Sequence, residues 1–192
     1  MTTKERIERV ATRQFARYGF DGTSIRQIVA EARVTKPVLY YYFKDKRGLY
    51  LSLLGGAVAP LCDEVERVAD GGGPPVKQLE SIIVAFLRFY RERPNEFHLL
   101  HQAVERRERE VQLIAQKYFR RIFLSISRVL SEGVDRKIFR SLHVSQTTFS
   151  VIAILVYYLT RAHVIDEVLG QKKASEDLME TLSQHVLGLL HT

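Results

Sequence analysis

The chain has 192 residues, 46% apolar and 27% charged, an ordinary balance for a globular protein and enough chain to bury a sizeable core. Its single cysteine, Cys62, excludes an internal disulfide framework and a thiolate metal site. The net charge of +7 is concentrated: residues 1–50 hold 11 Lys and Arg against 5 Asp and Glu, whereas residues 51–192 hold 18 against 17. A basic head on a neutral body points to a polyanion as the partner of the head. The opening MTTKERIERVA has no apolar run of the kind a secretory signal needs, so a cytoplasmic protein is expected.

In chain order, every element reads as a helix. Thr3 is expected to cap the first, with Ile7, Val10, Ala11 and Phe15 at helical spacing and a stop at Gly19. Ser24 can cap a second helix that turns Ile25, Ile28, Val29 and Ala32 inward. Thr35 opens a short third one, and Asp45 can cap a fourth carrying Leu49, Leu53 and Leu54. Pro60 is expected to kink the fourth helix or mark a join in it. The run DGGGPP at 70–75 cannot continue a helix and marks a linker. Longer amphipathic segments follow: 76–93, about 95–107, a stretch reaching Glu132 with Gly133 as its stop, 144–168 and 175–190. The expected fold class is all-α.

Residues 24–43, SIRQIVAEARVTKPVLYYYF, hold two short helices separated by three or four residues, the length pattern of a helix-turn-helix. Pro37 costs little there, because the first-turn N–H groups of a helix have no intrahelical partner. Leu39 and Phe43 share a face and can anchor the helix, while Lys36, Tyr40 and Lys44 share another. Tyrosines offer rings to thymine methyls or sugars and hydroxyls to phosphate oxygens.

On these residues the chain resembles the TetR family of bacterial transcriptional regulators. The resemblance rests on F-x-x-x-G-F-x-x-T-S-I from Phe15 to Ile25, the turn EARVTK, and LYYYFKDK from Leu39 to Lys46 followed by Leu49. It covers residues 3–54 and implies a DNA-binding head at 1–50, joined by a connecting helix to a helical ligand-binding and dimerisation body at 51–192. Carried over by position, Thr35, Lys36, Pro37 and Val38 face bases. Ser24, Arg26, Tyr40, Tyr42 and Lys46 grip phosphates, and Tyr41 lies on sugar or methyl groups. The chain departs from the family at Arg33, where the turn usually has glycine. A left-handed arginine there bears about 1 kcal/mol of strain, or the turn has another shape; alternatively the arginine adds a phosphate contact.

A single such motif reads few base pairs, so a homodimer on a palindromic operator is expected. The apolar segments 144–168 and 175–190 are the expected interface, with Ile152, Leu155, Val156 and Leu159 in one and Leu178, Leu182, Val186 and Leu189 in the other. The resemblance also implies a small-molecule effector, for which the body offers Phe86, Phe89, Tyr90, Phe97, His98, His101, Tyr118, Tyr157, Tyr158 and Arg161. The whole reads as a ligand-responsive repressor, not an enzyme, with no cofactor. The alternative is a metal-dependent enzyme using His98, His101 and Glu105, which share one helix face. No membrane partner is expected. Ser141–Thr160 is uncharged, but only Val151–Leu159 is continuously apolar, short of the about 20 residues a span needs.

Overall fold

Thr2, rather than Thr3, caps the first helix. Its Oγ1 accepts the Glu5 N–H at 3.2 Å, and the Glu5 carboxylate accepts the Thr2 N–H at 2.8 Å, closing both ends of a capping box. The protein is described by a computed structural model covering residues 1–105, 109–170 and 178–190. Among these residues there are nine helices and no strand.

Helix α1 runs Thr3–Gly22 but is interrupted at Gly19, whose φ of 70° and ψ of 175° leave the helical region. Interruption strands the carbonyls of the preceding turn. The buried Thr23 hydroxyl answers two of the nearby acceptors in turn, at 2.8 Å from the Gly19 carbonyl and 3.1 Å from that of Gln14. The Gln102 amide donates to the carbonyl of Ala16 at 2.9 Å. Helix α2 (Ile25–Glu31) and helix α3 (Lys36–Tyr42) follow, then helix α4 (Lys46–Asp70). Asp45 caps α4 as expected, accepting the Gly48 N–H at 2.7 Å. Pro60 lies inside α4, which runs through it as one helix, and the boundary between the chain's two compact units falls there.

By length and composition α4 alone among the described helices could cross a membrane, and half of that stretch is buried within the protein. Helices α5 (Pro75–Glu92), α6 (Pro94–Glu105), α7 (Arg109–Asp135), α8 (Val144–Leu169) and α9 (Leu178–Gly188) complete the chain.

The chain divides into two compact units. The first is Met1–Pro60 with Arg93–Tyr118, and the second is Leu61–Glu92 with Phe119–Thr192. In the first unit α1, α2 and α3 pack on one another, and α6 packs along α1. One core joins Ile7, Val10, Phe15, Ile28, Leu39, Phe43, Leu49 and Leu54 to Leu99, Ala103 and Val111. Helix α6 thus shares the core of the helix-turn-helix, which sequence periodicity did not reveal.

In the second unit α5, α8 and α9 pack together. The end of α4 is closed from across the linker: the buried Gln78 amide donates to the carbonyls of Val68 and Ala69, both at 3.1 Å. Arg121 donates to Glu66 at 2.7 and 2.6 Å and to Asp63 at 2.6 Å, beside the buried Cys62.

Gly133 does not stop α7, which continues to Asp135. The stop is Lys137, whose φ of 58° is left-handed. Its N–H donates to the Val134 carbonyl at 2.9 Å and the Ile138 N–H to that of Gly133 at 2.8 Å, the paired bonds of a Schellman cap.

The apolar residues expected to form surplus interface surface are mostly core of the second unit itself. Ile152, Leu155 and Leu159 on α8 and Leu182 and Val186 on α9 are buried, while Val156 and Leu189 are half-buried. The side chain of Leu178 and residues 171–177 lie outside the described residues. A single helix's periodicity marks a buried face without saying which molecule buries it. The exposed apolar groups of α8 are instead Phe149, at 55% exposure, and Tyr157, at 54%. Phe149 packs on Phe123 and Phe119 of α7, with centroids 5.0 and 5.6 Å away.

Candidate nucleic-acid interface

The interface is built on two short helices with separate starting devices. Ser24 caps α2: its Oγ accepts the Gln27 N–H at 3.2 Å, and Gln27 Oε1 accepts the Ser24 N–H at 2.8 Å. The Ser24 hydroxyl also lies 2.7 Å from Gln27 Oε1 as a donor, so a phosphate would have to displace that amide oxygen to claim its proton. Thr35 precedes α3 in extended conformation (φ −93°, ψ 161°), yet its hydroxyl makes no capping bond and stays exposed for another partner. Pro37 stands in the first turn, where no N–H is lost.

Between the helices, Arg33 has a φ of 52°. Its N–H donates to the Ala30 carbonyl at 3.2 Å and the Val34 N–H to that of Val29 at 3.0 Å. The turn therefore keeps the left-handed geometry that glycine adopts freely, and arginine carries the strain of about 1 kcal/mol. Val34 is half-buried against the same core as Val29, which completes the cap.

Helix α3 is anchored by the buried Leu39 and followed by the buried Phe43. The rest of it faces outward: Lys36, Pro37, Val38, Tyr40, Tyr41 and Tyr42 are all exposed, Tyr41 at 81%. Tyr41 and Tyr42 meet edge to face at 5.0 Å, which limits the orientations of both rings. Ser24 and Arg26 are also exposed, in the cap and first turn of α2. Lys46 is half-buried, with its Nζ 4.4 Å from the centre of the Phe20 ring. Phe20 in turn packs on Phe15 and Tyr50. A cation at a helix start opposes the helix dipole, and the ring face offsets that cost.

Helix α2 is braced against α1 by Glu31, whose carboxylate takes bonds from Gln14 and Arg13. The Gln14 bond, with Arg13 adding to it against partial burial, holds the Glu31 carboxyl below the usual range. No local pattern in the sequence signals Arg13, Gln14, Glu31 or Gln102, because each pairs across a separation that only the fold closes.

The aromatic and polar residues offered for an effector fall in both units. In the first unit, Phe97 is buried, His101 and Tyr118 are half-buried, and His98 is exposed. In the second, Phe86 and Phe89 are buried, Tyr90 is half-buried and Tyr157 is exposed. Tyr158 sets its hydroxyl 3.4 Å from His185 Nδ1. Arg161 sits at a break in α8 (φ −128°, ψ 18°), its guanidinium donating to the Thr160 carbonyl at 3.3 Å. None of these residues lines either of two open grooves, one around Arg67, Gly72, Lys77 and Gln78, the other around Glu8, Arg9, Ser52 and Arg93.

The metal-enzyme alternative finds no support. His98 is exposed, the Glu105 side chain lies outside the described residues, and no group of three or more ligating side chains gathers among the described residues.

Comparison with known proteins agrees with this geometry. Residues 7–53 match the family model described as bacterial regulatory proteins, tetR family, and residues 75–189 match the tetracyclin repressor-like C-terminal domain. The HTH-type transcriptional regulator YerO of Bacillus subtilis is 31% identical over 91 residues, 46% of this chain and 32% of that protein. The HTH-type transcriptional repressor SCO4008 of Streptomyces coelicolor is 44% identical over 52 residues, 27% of each. The chain thus spans about a third or less of these two relatives.

Among solved structures, the fatty acid degradation regulator FadR of Bacillus halodurans superposes with a TM-score of 0.80 at 16% identity, covering 98% of this chain and 96% of that one. FadR of Bacillus subtilis in complex with stearoyl-CoA gives 0.74 at 16%, covering 94% and 97%. At such identities the likeness is one of fold.

Proposed function

Because the chain belongs to the TetR family of bacterial transcriptional regulators, we propose that it is a cytoplasmic, effector-responsive repressor that binds a palindromic operator as a homodimer. The observation that carries this is the face of α3, where Lys36, Pro37, Val38, Tyr40, Tyr41 and Tyr42 are exposed beside the buried anchors Leu39 and Phe43. Residues 1–50 serve as the DNA-binding head, and residues 51–192 bind effector and dimerise. Thr35, Lys36, Pro37 and Val38 meet base edges. Ser24, Arg26, Tyr40, Tyr42 and Lys46 hold phosphates, and Tyr41 lies on sugar or methyl groups.

The dimer forms through the last two helices, with Phe149 and Tyr157 as its apolar contacts. An effector releases DNA only by binding the two conformations of the dimer unequally. Stearoyl-CoA, the ligand of one fold relative, is a reasonable first compound to try.

Selection of bound duplexes from a random library tests the reading. The enriched site should be a near-palindrome. Lys36→Ala should relax its sequence preference, whereas Tyr42→Phe should weaken all sequences alike. A library that emerges unenriched would refute the assignment.

A further inference from the structure

We propose that Arg33 is a phosphate contact of the head, held in the turn ahead of α3 in spite of its backbone strain. The proposal rests on the DNA-binding reading above. Arginine occupies left-handed backbone at φ 52°, a region that favours glycine. It is exposed and makes no ion pair among the described residues. The nearest acidic side chain in sequence, Glu31, is already bonded to Arg13 and Gln14. It stands three positions before Lys36, so their Cα atoms lie within about 11 Å, a span an extended arginine largely covers. An uncommitted guanidinium beside an exposed groove-reading helix is suited to bidentate contact with a phosphate.

A competing account is that a cation at a helix end simply answers the exposed carbonyls. The protein contains its own control for this. Lys137 ends α7 with a φ of 58° and the same pair of bonds, but in the second unit. If strain is tolerated only for the carbonyls, the two sites should behave alike toward DNA.

The test uses the full chain and a labelled mixed-sequence duplex, with binding followed by anisotropy over a salt series. Urea midpoints are measured alongside. Arg33→Gly and Lys137→Gly should both raise the urea midpoint. Arg33→Gly and Arg33→Gln should weaken binding about 3- to 10-fold at low salt and reduce the log–log salt slope by about 0.9 per protomer, about 1.8 for the bound dimer, the loss of one phosphate contact from each copy. Arg33→Gln keeps the strain and should leave the midpoint unraised. Lys137→Gly should leave the slope unchanged.

Two results overturn the proposal alone: unchanged slopes in both Arg33 variants while the wild-type chain binds and Tyr42→Phe weakens it, or an equal loss of slope in Lys137→Gly. A wild-type chain that does not bind the duplex refutes the DNA-binding reading, and this inference falls with it.

Discussion

Phe139 lays its ring directly over Gly133, where a β-carbon would fall inside the ring's van der Waals surface. Gly133 is helical, so its role is the space it leaves rather than a turn it permits. Gly133→Ala should push the ring out of the α7 cap and destabilise the second unit by about 2–3 kcal/mol, as overpacking does. The urea midpoint of the variant checks this.

The bond from Gln102 to the Ala16 carbonyl joins α6 to the last turn of α1 before its break at Gly19. Gln102→Ala leaves that carbonyl without its donor and should cost about 1 kcal/mol. Amide exchange should quicken in α1 near the break, with little change in the second unit. Uniform loss of protection would argue against so local a role.

Arginine-bonded carboxylates make the fold acid-sensitive. The bond from Arg121 holds Glu66 below the usual carboxylate range, that from Arg67 does the same for Glu64, and those from Gln14 and Arg13 for Glu31. A group with a depressed folded value contributes its stability above the unfolded value of about 4.3 and loses it as pH falls through the folded one. Stability should therefore decline below about pH 4.5. Glu66→Gln should show a shallower decline in urea midpoints taken from neutral pH downward.

Cys62 is chemically quiet in the folded protein. Burial pushes its thiol up to about 12, against a smaller opposing pull from Arg121. Iodoacetamide at pH 8 should label the native chain roughly a hundredfold or more slowly than the urea-unfolded chain.

The exposed pair Phe149 and Tyr157 on α8 is expected to lie in the homodimer contact. Phe149→Asp should shift sedimentation toward the monomer and leave the helical signal intact, since the ring is more than half exposed and its partners Phe119 and Phe123 are themselves partly exposed. An unchanged sedimentation profile would place the contact elsewhere.

Much of the head was readable from sequence. The spacing of Leu39 and Phe43 indicates their burial, and the exposed tyrosines between them follow from it. Arg33 was flagged by residue type, but only the backbone showed that the turn keeps its left-handed form. Other features depended on partners distant in the chain. Gly133 looked like a stop because its neighbour Phe139 is placed by the cap that follows. Pro60 reads as a kink or a join, and α4 continues through it as one helix while the boundary of the two compact units falls at that residue. Ile152, Leu155 and Leu182 looked like interface because periodicity is blind to which chain covers a face.

Gln78 closes α4 from the far side of the DGGGPP linker, by reaching both Val68 and Ala69. The linker itself is then held at two points, where the Gly73 carbonyl accepts from Arg136 at 3.2 Å and the Pro74 carbonyl accepts the Gln78 N–H at 3.1 Å. A fluorophore-binding tag or a reporter peptide grafted between Gly71 and Gly72 would leave these bonds and those from Gln78 between residues outside the insertion.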